Sequence, residues 1–192
     1  ARMWRSAAES FGREIDEALT QWKDTKQKGQ RCLTKLANTC SALSYLAPSS
    51  SPSSNSASLC QRKLYAQLLS VHYELQTIVS SLRSVLDNLW RIVSDMNGHR
   101  KEVMSRHRSS CLTHDGPSFS ALVKEVVTMY ESQLRVDENV VRQSAPAVIG
   151  ECLPSTLTLR ASLWVMEPQI SPEKIKDMDR AKRLEIGLPN DS

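Results

Sequence analysis

The sequence predicts an all-α protein: an elongated antiparallel helical bundle or coiled coil of three long helices, closed by a short helical C-terminal tail. Three observations lead there. First, apolar residues recur at alternating intervals of four and three through Leu64, Leu68, Val71, Leu75, Ile78, Leu82, Val85, Leu89, Ile92, Met96, His99 and Val103, with His99 the one interruption. This is a heptad repeat with β-branched Val71, Ile78, Val85 and Ile92 at a and Leu at d, the preference of long helices packed knobs-into-holes. Second, Gly and Phe are scarce, at 6 and 2 of 192 residues, and no strand-like alternation or internal repeat competes with the helical periods. Third, hydrophobic residues make up 40% and charged residues 24%, the balance of a folded domain, while no apolar run reaches the ~18 residues of a membrane span.

The first long helix is expected over 1–46. Its stripe runs through Trp4, Ala8, Phe11, Ile15, Leu19, Trp22, Leu33, Leu36, Cys40 and Leu43. Gly29 lies in that stripe at a helix cost of about 1 kcal/mol relative to Ala; it either kinks the helix or lets another backbone approach closely, and the second suits a packed bundle. Pro48 ends the pattern. Residues 47–58 are Ser-rich with Pro52 and Asn55, and read as a linker long enough to let the next helix fold back. The heptad helix follows over 59–108, and Leu69, Val79, Leu86, Trp90 and Val93 widen its apolar face beyond a two-stranded seam, which asks for three or more helices in contact.

A loop is expected over 109–117, with Pro117 in the first turn of a third helix over 118–145. That helix carries Phe119, Val123, Val126, Tyr130, Leu134, Asp137 and Val140 or Val141 on one face, and Pro146 stops it. The remainder, 146–192, reads as a helical tail. It holds a short helix bearing Leu157, Leu159, Leu163 and Trp164 that ends at Pro168, then a last helix with Ser171 as N-cap, Pro172 behind it and Gly187 at its end.

Composition excludes several function classes. Net charge is +4, too mild for a dedicated nucleic-acid binder; the dense basic run, His99, Arg100, Lys101, Arg106, His107 and Arg108, falls at a helix end where cations complement the dipole. The five cysteines, Cys32, Cys40, Cys60, Cys111 and Cys152, are odd in number with no CxxC pair, pointing to reduced thiols in cytosol or nucleus. His107, Cys111 and His114 share one loop but lack the fourth ligand a structural zinc wants, so no metal is expected. No GxSxG, phosphate-loop or HExxH pattern occurs, so neither an enzyme nor a cofactor site is expected. Ser51 and Ser171 each precede Pro and are candidate phosphorylation sites; Ser171 is also explained by capping.

What remains is binding of other proteins. The ~45-residue heptad helix outruns the ~27-residue third helix, so part of its stripe is expected to be covered by a partner chain, at about 1.5–3 kcal/mol per buried Leu. Candidate partner-binding residues are Leu75, Leu82, Leu89 and Trp90 on the heptad helix, Tyr130 on the third, and Trp164, Pro168 and Ile170 in the tail. Trp164 is expected to anchor the tail, against the bundle or in a partner.

Some of these residues also form an ordered set of motifs. Trp22, Gly29 and Leu36-Ala37-Asn38 give W-x6-G-x6-[IL]-A-N in the first helix; Met129-Tyr130 and Gln133-Leu134 give M-Y-x-x-[EQ]-L in the third; Leu157-Thr158-Leu159 and Trp164, Pro168 and Ile170 mark the tail. Over Trp22 to Gly187 the chain resembles the cyclin-dependent kinase 2-interacting protein family, from which it departs in its Ser-rich linker and in lacking a Trp before Phe119. The resemblance implies a nuclear, non-enzymatic adaptor, with a possible cytoplasmic pool. It further implies work in DNA replication and the DNA-damage checkpoint, linked to cyclin-dependent and Cdc7-type kinases. Membership of a chromatin-associated complex with AAA-type ATPase subunits and a second small helical protein also follows, in replisome proteostasis and ribosome maturation. Two readings of other classes stand beside it: a purely structural coiled-coil tether, and a weak nucleic-acid binder using Arg100 to Arg108.

Overall fold

The computed structural model describes residues 2–46, 55–106, 118–145 and 154–187. Among them every regular element is helical: α1 (Arg2–Leu46), α2 (Asn55–Arg106), α3 (Phe119–Ser144), α4 (Pro154–Met166) and α5 (Pro172–Ile186). None of these helices is long and apolar enough to cross a membrane.

Two helix starts differ from expectation. α2 begins at Asn55, inside the segment read as linker, because Ser and Ala carry only small helix penalties and the last strong breaker is Pro52. At α3 the capping residue is Ser118. Its carbonyl accepts from the amides of Ala121 and Leu122 at 2.9 and 3.1 Å, and its hydroxyl accepts from Ala121 at 3.4 Å. The first-turn place expected for Pro117 is therefore taken by Phe119; Pro117 itself lies outside the described residues. α5 has the ends that its sequence asks for. Ser171 accepts from the Lys174 amide at 3.4 Å, and Gly187, at φ 74°, turns its N–H back onto the Arg183 and Leu184 carbonyls.

The chain packs as two compact units, and α1, α2 and α3 each contribute to both. Unit 1 comprises Ala1–Trp22, Arg83–Gln133 and Pro168–Ser192. Its interior is filled by Trp4, Ile15 and Trp22 of α1, Val85, Leu89, Ile92 and Met96 of α2, Phe119, Val123 and Val126 of α3, and Met178 of α5, all buried. His99, the break in the heptad, stacks on Trp4 at 6.2 Å and meets the edge of Phe11 at 6.3 Å, so an aromatic pair fills that position. One carboxylate ties three helices together here. Glu185 of α5 accepts from the Trp4 indole at 2.6 Å and from the Phe119 amide at 3.0 Å, capping α3 from outside its own chain segment.

Unit 2 comprises Lys23–Leu82 and Leu134–Glu167. Leu33, Leu36 and Cys40 of α1, Leu68, Val71, Leu75, Ile78 and Leu82 of α2, Val140 and Val141 of α3, and Leu157 and Trp164 of α4 are buried in it. The expected tail is thus not one appendage: α4 belongs to unit 2 and α5 to unit 1. Glu167 sits at φ 43°, a left-handed conformation that a non-glycine residue adopts at a cost of order 1 kcal/mol.

Burial pushes the Cys32 thiol up to about 11, with Glu74 beside it adding to the effect, whereas Cys60 is exposed. At pH 8 only about one Cys32 in a thousand is thiolate. Alkylation of the native chain with iodoacetamide, mapped by peptide mass spectrometry, is expected to modify Cys60 first and to reach Cys32 and Cys40 only under unfolding conditions. Equal labelling of the three in native buffer would contradict this packing.

Candidate functional site

The residue at the centre of unit 2 is Trp164, whose side chain is 0% exposed. It reaches α1 because Gly29 leaves room: a Cβ on Gly29 would stand 2.1 Å from the indole ring. The glycine therefore admits a side chain, not the backbone that its place in the stripe had suggested. The indole N–H donates to the Lys26 carbonyl at 2.8 Å, which satisfies the one polar atom of the ring.

Lys26 turns its own side chain over the same ring, with Nζ 4.1 Å from the centroid. That ammonium is buried and donates to the fully buried Asp137 of α3 at 2.7 Å; Glu167 is a weaker partner at 3.9 Å. Burial lowers the Lys26 pKa from its ordinary value, and Asp137 pulls it back up. A low-pKa lysine beside a cavity of about 300 Å³ invites a nucleophile reading. Its proton, however, is held by a carboxylate at hydrogen-bond distance, so the geometry is that of a structural ion pair.

This node was legible only in part. Asp137 stands on the apolar face of α3 in the sequence, and Lys26 falls between Trp22 and Gly29 on the apolar face of α1, although the stripe read from the sequence passed over it. Two opposite charges at core positions of two helices are the signal that could have paired them.

The other expected site residues scatter. Leu75, Leu82 and Leu89 are buried, as is every heptad position from Leu68 to Met96, while Leu64 at the start of the stripe and His99 and Val103 at its end are half-exposed. Cover for Leu68 to Met96 comes from within, because α1 as well as α3 packs on them, whereas Leu59, Tyr65, Leu69 and Tyr73 of α2 stay exposed; Leu69, expected to widen the buried face, points outward at 59% exposure. Tyr130 meets Trp22 edge-on at 5.0 Å inside unit 1. Trp90 and Ile170 are half-exposed and Pro168 is exposed. Next to Pro168, the Gln169 amide donates to Gln133 Oε1 at 3.2 Å. Ser171 caps α5 and donates to Glu173 at 3.0 Å, a role that capping alone explains. Ser51 lies outside the described residues, as do His107, Cys111 and His114. Among the described residues no His, Cys, Asp or Glu cluster could hold a metal ion. The basic run is put to several uses: Arg100 donates to Ser120 at 3.0 Å and to Ser118, while Lys101 is exposed.

A further apolar surface is the second face of α4, a helix whose apolar residues were already more than so short a segment can hide by itself. Leu157, Ala161 and Trp164 turn inward, leaving Leu159 and Met166 at 64% and 74% exposure with Leu163 and Val165 also open. Leu159, Leu163 and Met166 follow i, i+4, i+7 and make one outward apolar stripe.

In comparisons with known proteins, no family model matches the chain and no curated protein matches it.

Two expected outcomes follow from the Trp164 node. Gly29→Ala should destabilise the chain by about 1–3 kcal/mol through overpacking, although Ala is the better helix former. In a Trp164→Leu background the same change should cost much less, a coupling that a urea double-mutant cycle would measure. Lys26→Met should cost about 3–5 kcal/mol by stranding the buried Asp137 carboxylate, and the double variant Lys26→Met/Asp137→Leu should recover most of that loss. Additive losses would argue against the pair.

Proposed function

We propose that the chain is a non-enzymatic helical adaptor of the kind represented by the cyclin-dependent kinase 2-interacting protein family. In this reading it acts in the nucleus in DNA replication and genome maintenance, as a subunit of a chromatin-associated AAA-type ATPase complex serving replisome proteostasis and ribosome maturation. A second small helical protein is its companion there, and cyclin-dependent and Cdc7-type kinases are further partners.

One observation carries the reading: motif residues far apart in sequence meet in pairs. Trp22 of the first motif packs on Tyr130 of the second at 5.0 Å. Gln133 of the second accepts from the backbone one residue after Pro168 of the third. Gly29 of the first makes the space that Trp164 of the third fills. Helical composition alone gives no reason for residues picked out by an ordered pattern to be one another's neighbours.

The finer architecture proposed with it is three long helices, α1 and α2 antiparallel. Within unit 1 this is supported by early α1 meeting late α2, as Trp4 meets His99 and Glu14 meets Arg91 at 3.3 Å. Within unit 2, late α1 meets early α2, with Gln61 donating to the Leu46 carbonyl at 3.2 Å.

Partner contact falls to the outward stripe of α4, since the heptad stripe is already filled. The test is a pulldown from nuclear extract with the tagged full chain, quantified by mass spectrometry. AAA-type ATPase subunits should be recovered in fixed ratio, and Leu163→Glu/Met166→Glu should reduce that recovery by about tenfold while leaving the thermal midpoint within about 2 °C. Recovery of no ATPase subunit would sink the adaptor reading; undiminished recovery by the double variant would move the contact elsewhere.

A further inference from the structure

Within unit 2, α1 and α2 border a groove of about 650 Å³ that no other described helix fills. Its α1 wall presents Gln30, Arg31, Thr34, Lys35 and Asn38, a polar stripe at helical spacing, and its α2 wall presents Leu64 and Gln67. Leu64 is also the first position of the heptad stripe and the one left half-exposed before an unbroken buried run from Leu68 to Met96. The groove is therefore where the start of that stripe lacks its cover.

Its charge is one-sided. Among the described residues lining it the charged ones are Arg31 and Lys35, and no carboxylate is present. The second half of α1 exposes Lys23, Lys28, Arg31 and Lys35 against a single exposed acid, Asp24. Two copies meeting groove to groove would bring these cations together, which opposes self-association. A nucleic acid is disfavoured on other grounds. The lining is mostly amides and hydroxyls, no aromatic lines the groove for base stacking, and two cations are few for phosphate-backbone binding.

We infer that this groove docks an amphipathic helix with an acidic flank, contributed by a partner protein. The groove runs from Gln27 to Ala42, a rise of about 22 Å, which accommodates about four turns of helix. An apolar side chain of the incoming helix covers Leu64. Carboxylates one turn apart meet Arg31 and Lys35, themselves one turn apart, and the flanking amides and hydroxyls take the rim. The inference rests on the adaptor reading and names the chemistry of one of its partners; it uses a face distinct from the α4 stripe.

The test is fluorescence anisotropy of the full chain with three labelled probes: a peptide of about 18 residues with Leu at heptad core positions and Glu on its flanks, the same peptide with Lys for Glu, and a single-stranded RNA of about 20 nucleotides. The Glu peptide should bind at least about tenfold tighter than the Lys peptide or the RNA. Arg31→Glu/Lys35→Glu, two exposed changes with thermal stability as the folding control, should reverse the preference between the peptides. The proposal is overturned if no peptide binds, if the RNA or the Lys peptide binds as tightly as the Glu peptide, or if the double variant keeps the original preference. Recovery of ATPase subunits from extract is scored separately, so failure of the adaptor reading and failure of the acidic-helix inference are told apart.

Discussion

The apolar stripe of α2 is the constraint from which the rest of the structure follows. Nine consecutive heptad positions, from Leu68 to Met96, are all buried, and a lone helix in water could bury none of them. Each is worth roughly 1.5–3 kcal/mol when covered, so the chain gains most by wrapping other amphipathic segments around this one helix. In unit 1 the cover comes from α1, α3 and α5; in unit 2 it comes from α1, α3 and α4. Most of the stripe is thereby covered inside the fold, while Leu64 and Val103 at its ends are half-exposed and Leu69 and Tyr73 beside it stay open.

Apolar stripes alone would tolerate helices sliding past one another by a turn. Polar groups placed in the interior remove that freedom, since a buried charge or amide without its partner is costly. Lys26 must find Asp137, the Trp164 indole must find the Lys26 carbonyl, and Glu185 must sit where it serves both Trp4 and the end of α3. Each of these contacts pins one helix to another at a single register. Gly29 does the same by shape, because its missing Cβ leaves the room that the ring takes.

Two of the faces left for other molecules differ in chemistry. The outer side of α4 is an apolar stripe on a short helix whose opposite side is already committed to Trp164. The α1–α2 groove is mostly polar and positive, with Leu64 and Ala42 as its apolar lining. Two such dissimilar faces are what the proposed adaptor role would use.

The sequence by itself determined the helical class, the order of the elements and the direction in which most side chains point. The 3.6-residue period decides which side of a helix is apolar before any tertiary contact forms, and Ser171, Pro172 and Gly187 delimit α5 through purely local backbone chemistry. The same local logic failed at Asn55 and Ser118, where weak penalties and neighbouring cap residues left more than one start acceptable. Only the tertiary structure decided which stripe covers which. It joined Trp164 to Gly29 and Lys26 to Asp137, separated α4 from α5, and buried Leu75, Leu82 and Leu89 that the pattern had offered to partners. Periodicity states that a face is apolar, but whether the chain or another molecule covers it depends on long-range packing, which no local spacing encodes.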